Sequence, residues 1–266
     1  MRYDSLLKVL SDGRARMDIS PPFGYRNIVP LQKTHRLVLP DAAAAAQFTR
    51  SLNAIPVSYT EMGIAARDYP LVFVSGDADK TFAVVAVLGY GAGENLFVSD
   101  NGWANQVYVP AYVRRYPFCM TRVTLDNVVQ EERMICVESD CVATEDAAGE
   151  ALFNAAGEPT ERWTGIQKLL NEYEADLERT REMCSILADF GLLEPFSVQA
   201  APNGGEAMNL TGMHRVNEAR IEFLTADQLR TLARKGIFAR LYAHLQSLEN
   251  FGRLLDRRAA APAVAA

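Results

Sequence analysis

The sequence predicts an α+β protein: a sheet-rich antiparallel lobe over residues 1–150, a mainly helical lobe with one hairpin over 151–258, and a disordered tail at 259–266. Three observations lead there. Short apolar runs separated by turn residues fill the first half, as antiparallel strands require. A single unbroken helical period opens the second half. With 266 residues, 49% of them hydrophobic, the chain has enough apolar side chain for one sizeable core.

The elements follow in order. Residues 1–27 are polar and irregular up to Pro21-Pro22-Phe23-Gly24, and read as a mobile leader or a surface arm. Two strand-like pieces, IVPL and HRLVL, lie between Ile28 and Leu39. Pro40 stops the second, and Asp41 caps a helix through the alanines to Leu52. Ser58-Tyr59-Thr60-Glu61 fits a capping box, with a helix over 59–67 that Pro70 obliges to end. Strands at 71–75 and 81–90 then form a hairpin through Gly76-Asp77-Ala78-Asp79, and the second reads as a central strand covered on both faces.

Gly89-Tyr90-Gly91-Ala92-Gly93 invites a phosphate-loop reading, because glycines let backbone N–H groups approach an anion. That motif needs a helix after it, whereas residues 94–98 read as a strand closed by Asp100-Asn101-Gly102. A glycine-rich turn is the better account.

The next stretch is the candidate site. Trp103, Tyr108, Tyr112, Tyr116 and Phe118 surround Arg114 and Arg115, with Pro110 and Pro117 bounding a turn or one helical turn. An arginine fork between aromatic rings can take a carboxylate or phosphate bidentately while the rings hold an apolar neighbour. Adjacent arginines point different ways, so one is expected to be functional and the other structural. The structural alternative stacks an arginine on core aromatics and pairs it with an internal carboxylate such as Glu61 or Glu94.

Strands at 119–125 and 133–138 continue the sheet, and two glycine turns around Leu152-Phe153 mark the passage to the helical half. Thr160 caps a helix over 161–190, whose narrow seam runs Trp163, Ile166, Leu170, Tyr173, Leu177, Thr180, Cys184, Leu187. Packing along its own lobe accounts for the seam better than a coiled coil, although pairing with a second copy stays open. Gly191 and Pro195 end this helix, and a hairpin follows around Pro202-Asn203-Gly204-Gly205. A second capping box, Thr225 to Gln228, opens a helix ending at Gly236, and a last helix is expected over 237–255.

Several function classes lose support. A net charge of −6 gives no global positive field for nucleic acid or anionic lipid. Asp4, Lys8 and Asp12 interrupt what an export signal would keep apolar, and the apolar run 82–89 is too short to span a bilayer, which points to the cytoplasm. Cys119, Cys136, Cys141 and Cys184 lack CxxC spacing and read as reduced thiols, so neither a metal nor a disulfide frame is expected. His35, His214 and His244 stand isolated, without a hydrolase or metalloprotease motif. No cofactor motif is present.

The order TEMGIAARDYPLVF, AVLGYGAGENLFV, a tryptophan, YVPAYVRRYPF, GEALFNAAGEPT, GLLEP and AHLQSLENFGRL resembles the bacterial SapC family, which is named for surface-layer protein genes and is unrelated to saposin C. The resemblance runs from about Val29 to Leu255. It implies a role in surface-layer protein export or, by gene association, a link to outer-membrane receptor and halogenase-like genes. It brings no catalytic residue set. The function expected is therefore a non-catalytic binding or adaptor protein, holding an anionic peptide or metabolite group with Arg114, Arg115, Trp103, Tyr108, Tyr112, Tyr116, Asn95 and Glu61. The alternative is a peptide- or metabolite-modifying enzyme drawing on Glu61, Asn95, Arg114 and Arg115.

Overall fold

The computed structural model describes residues 17–76, 81–126, 128–144, 149–200 and 208–260. Its elements begin with β1 (Met17–Ile19), β2 (Ile28–Pro30), β3 (Arg36–Leu37), α1 (Ala42–Gln47), β4 (Ala54–Pro56) and α2 (Met62–Ala65). Next come β5 (Leu71–Ser75), β6 (Phe82–Val87), β7 (Val98–Ser99), β8 (Gly102–Trp103) and α3 (Ala111–Arg114). The chain continues through β9 (Phe118–Leu125), β10 (Val128–Glu138), β11 (Glu150–Ala151), α4 (Glu161–Asp189), β12 (Leu193–Ala200) and β13 (Met208–Val216). Helices α5 (Ala226–Arg234), α6 (Ile237–Ser247) and α7 (Asn250–Ala260) close it. Every strand pair among the described residues is antiparallel, and helices gather toward the C-terminus, so the fold is α+β.

Two compact units divide the chain, each built from two segments: Met1–Phe48 with Val113–Glu174, and Thr49–Tyr112 with Ala175–Ala266. The change of composition near residue 150 thus lies inside the first unit. In that unit the sheet order is β1-β9-β10-β2, with β11 and β3 pairing beside it. Leu31, Leu37, Phe118, Ile135, Val137, Leu152, Trp163 and Leu170 form its core. The second unit carries the order β12-β13-β5-β6-β4 and the small β7-β8 ribbon. Leu71, Val72 and Phe73 of β5 are fully buried at its centre.

Several expectations need correction. Within the region read as a mobile leader or surface arm, residues 17–19 form the edge strand β1, which pairs with β9 from Met17↔Leu125 to Ile19↔Val123. Asp41 does cap α1, its carboxylate accepting from Ala44 N at 2.8 Å, but that helix stops at Gln47 rather than Leu52. Strand β10 starts five residues earlier than expected, since Gln130-Glu131-Glu132 conceal a ribbon whose register slips between Val129 and Arg133. Residues 94–97 form no strand. Pro195 does not stop a segment but lies within β12, where an edge position spares it the missing N–H. The last helix is two helices, because Asn250 turns inward and donates to the carbonyls of Ala66 at 2.8 Å and Tyr69 at 3.1 Å. Its second half extends to Ala260, and the rest of the expected tail lies outside the described residues, as do most of the turns expected at 76–79 and 202–205.

The capping box at Ser58 forms only in part. Glu61 reaches back to Ser58 N at 2.8 Å, yet Ser58 Oγ also donates to Glu61, and the helix shrinks to the single turn of α2. The box at Thr225 forms in full.

Helix α6 is tied to the central sheet of its unit by His244, which is wholly buried. Its Nε2 accepts from Val216 N at 3.1 Å, and its Nδ1 lies 2.8 Å from the Leu71 carbonyl. The neutral ring with the proton on Nδ1 satisfies both. Ser247 adds a second tie, accepting from Leu71 N at 2.9 Å and donating to the His244 carbonyl at 2.6 Å. Burial pushes the imidazole pKa down to about 4, outweighing the opposing effect of the Leu71 hydrogen bond.

The unfolded chain therefore takes up this proton first, near the ordinary value of about 6.5, and stability falls as pH drops from there toward 4. A span of that size corresponds to about 3 kcal/mol. Urea unfolding across the interval is expected to show a pH slope that flattens in His244→Gln, where no group titrates at that position. An unchanged slope in the variant would assign the effect elsewhere.

Candidate functional site

The site residues suggested by the sequence fall in both units. Arg114, Arg115 and Tyr116 belong to the first, while Glu61, Asn95, Trp103, Tyr108 and Tyr112 belong to the second.

In the second unit these side chains hold the backbone in place. Glu61 is buried, its Oε1 accepting from Ser58 N at 2.8 Å and Ser58 Oγ at 2.9 Å. Its Oε2 accepts from Tyr108 Oη at 2.9 Å and Ala111 N at 2.8 Å. Four donors occupy the carboxylate. Trp103 Nε1 donates to Tyr69 Oη at 2.9 Å, and Tyr69 Oη donates to the Tyr108 carbonyl. Burial raises the Tyr69 phenol far above its ordinary range. Asn95 donates to the Thr49 carbonyl at 3.0 Å and accepts from Phe97 N at 2.9 Å, closing a local turn that prevents the expected strand. Tyr112 is buried.

The glycine loop is likewise occupied from within. Glu94 Oε2 accepts from Tyr90 N at 2.8 Å and Gly91 N at 3.2 Å, and Arg258 lies 2.6 and 2.7 Å from its two oxygens. A Cβ on Gly89 would overlap the Glu94 carbonyl, so glycine serves the close turn there. The amides that could greet a phosphate hold the chain's own carboxylate.

In the first unit the two arginines separate, as adjacent side chains should. Arg115 is 5% exposed, and its guanidinium lies 5.6 Å from the Tyr25 ring centre and 4.9 Å from that of Tyr173. Its acidic neighbour is Glu174 at 3.7 Å, not the expected Glu61 or Glu94, and Glu174 also pairs with Arg133. Tyr116 stacks on Phe48 at 4.3 Å, with Tyr25 against both rings. Burial lifts the Tyr116 phenol to about 12. Tyr25 Oη donates to the Phe118 carbonyl at 2.8 Å, fixing the start of β9. Arg115 therefore builds this part of the core, and Arg114 is exposed.

Between this turn and the first turns of α4 lies a cavity of about 180 Å³. Arg114, Arg115 and Arg162 line it together with Phe118, Ile166 and Leu170, and among the described residues no carboxylate does. Arg162, Ile166 and Leu170 share one helical face at intervals of four. Arg162 also lies 3.3 Å from the exposed Glu150. Sequence reasoning missed Arg162, although its place one turn before Ile166 on the α4 seam was a usable signal. The seam itself is covered by the chain's own residues, with Trp163, Leu170, Tyr173, Thr180, Cys184 and Leu187 all buried.

The SapC family model matches residues 32–254, most of the chain. The chain belongs to the SapC family. No curated protein and no solved structure matches it. In this SapC-family protein, no described helix is long and apolar enough to cross a membrane. Among the described residues, no group of three or more His, Cys, Asp or Glu side chains is placed to hold a metal ion. The four cysteines are buried and free, and burial raises Cys119 and Cys184 to about 12, far from a reactive thiolate.

Proposed function

We propose that this SapC-family protein is a non-catalytic binding or adaptor protein of the bacterial cytoplasm. It serves surface-layer or outer-membrane protein export by holding an anionic group of a peptide client or metabolite. One observation carries the binding part of this reading: the cavity lined by Arg114, Arg115 and Arg162 without an acidic lining residue among those described. Charge-assisted hydrogen bonds from guanidinium to carboxylate or phosphate are the strong ones, and a recess with apolar walls strengthens them. Membership of the family supports the export part.

Tagged protein recovered from native cells, followed by protein and small-molecule mass spectrometry, tests the reading. The Arg114→Ala, Arg162→Ala double variant is the comparison, since both side chains are exposed and their loss should spare the fold. A partner or small molecule retained by the parent and lost from the variant is expected. Identical sets from both proteins would remove the cavity from the binding function.

A further inference from the structure

We propose that the second unit docks a peptide segment in which acidic residues stand within a few positions of an apolar one, on a surface built from other residues than the cavity above. Arg67, Arg253 and Arg257 supply the positive charge. Among the described residues none of them pairs with a carboxylate, and neither Glu249 nor Asp256, which flank Arg253 in sequence, forms an ion pair with them.

Neutral groups position two of these arginines instead. Arg253 Nη1 donates to the Arg67 carbonyl and to Asn250 Oδ1, both at 3.2 Å. The Arg257 guanidinium lies 4.4 Å from the ring centre of Phe97, which in turn stacks on Trp103. Both side chains are thus held without a carboxylate to offset their charge, and little of their freedom remains for a ligand to remove. Arg253 and Arg257 also stand one turn apart on α7, a spacing at which like charges cost stability. No described carboxylate relieves that cost, although the chain carries a net charge of −6.

The apolar part of the partner follows from the ground beside Arg67. Arg67 and Asp68 come just after α2 and line a recess with Ile64, Val107 and Tyr108. Ile64 is 44% exposed, so an apolar residue seated there would cover hydrocarbon that the chain itself leaves open to water. Asp68 sets the direction. Its Oδ2 accepts from Tyr108 N at 2.9 Å, fixing one wall, and its negative charge keeps an acidic group out of the recess. The acidic residues are thereby directed to α7 and the apolar one to Ile64 and Val107, with Arg67 between them. An exposed helix face beside an open recess gives a small molecule little enclosure, whereas a peptide laid across the surface reaches both.

Selection from a random peptide library displayed on phage, with the full-length protein immobilised, reads the chemistry of the partner directly. Enriched sequences are expected to combine Asp or Glu with Leu, Ile, Val or Phe a few positions away. A synthetic copy of the most enriched peptide, titrated by fluorescence polarisation, is expected to bind the Arg253→Gln, Arg257→Gln variant about tenfold or more weakly than the parent, and to weaken as salt is raised. Glutamine removes the charge while keeping a donor at each position. Ile64→Ser examines the recess by itself, on an exposed side chain, and is expected to weaken the same peptide about fivefold. The Arg114→Ala, Arg162→Ala variant should bind it like the parent, which separates this surface from the cavity. Enrichment of peptides without acidic residues, or no enrichment over the bare support, would overturn the proposal. So would equal binding to the parent and the glutamine variant, or a peptide lost only from the Arg114→Ala, Arg162→Ala variant, which would support the cavity reading instead. Unchanged binding to Ile64→Ser would overturn the apolar assignment.

Discussion

Replacing Glu61 with glutamine is expected to destabilise the protein almost as much as replacing it with alanine. The two changes are usually far apart in severity, because glutamine keeps the shape of glutamate. Here both carboxylate oxygens accept from a backbone N–H, Ser58 on one side and Ala111 on the other. Whichever way the amide is placed, its NH₂ faces a donor that cannot rotate away. Alanine instead leaves Ser58 N, Tyr108 Oη and Ala111 N without their acceptor in a buried place, each at a cost of about 1–3 kcal/mol. A loss of about 3–5 kcal/mol is expected for both variants, a fall in Tm of roughly 10 °C for a chain of this size. Thermal and urea unfolding decide it. A Gln variant within about 1 kcal/mol of the parent would mean that at least one of these backbone donors has another acceptor.

The same residue shows what could be read in the sequence and what could not. Local signals were legible: the Asp41 cap, the Thr225 box, the period of α4 and the hairpin of β5 with β6 all depend on residues within a few positions of one another. The contacts that decide roles were not, because they join distant parts of the chain. Glu61 looked like a polar group available to a ligand, but Tyr108 and Ala111 already donate to it. Thr180 looked like a flaw in an apolar seam, yet its hydroxyl accepts from Tyr59 N at 2.8 Å while donating to the Asp176 carbonyl one turn back. The polar run at 130–132 hid the first five residues of β10, since strand pairing itself is made by the backbone and needs no apolar side chains. At the candidate site, the aromatic and arginine composition was visible, but its division between two units was not. Nor was Arg162, which reaches the cavity only because α4 passes beside the turn after α3.

Arg114 and Arg115 are adjacent in sequence and are expected to behave oppositely on substitution. Arg115→Ala should cost about 3 kcal/mol or more in stability, for two reasons that act together. The guanidinium fills space between Tyr25 and Tyr173, so its removal opens a gap in packed aromatic core. It also takes a basic neighbour away from Glu174, whose side chain is only 12% exposed and which keeps its pair with Arg133. Lysine should not rescue it, because an ammonium lacks the planar face that lies against the two rings. Arg114→Ala, on an exposed side chain, should stay within about 0.5 kcal/mol of the parent while weakening anion binding. Paired urea unfolding curves and titrations of the two single variants separate these roles. A mild Arg115→Ala would show that the aromatic rings pack without the guanidinium and return that residue to the ligand. A destabilised Arg114→Ala would instead make the whole turn structural, and the cavity's charge would then rest on Arg162.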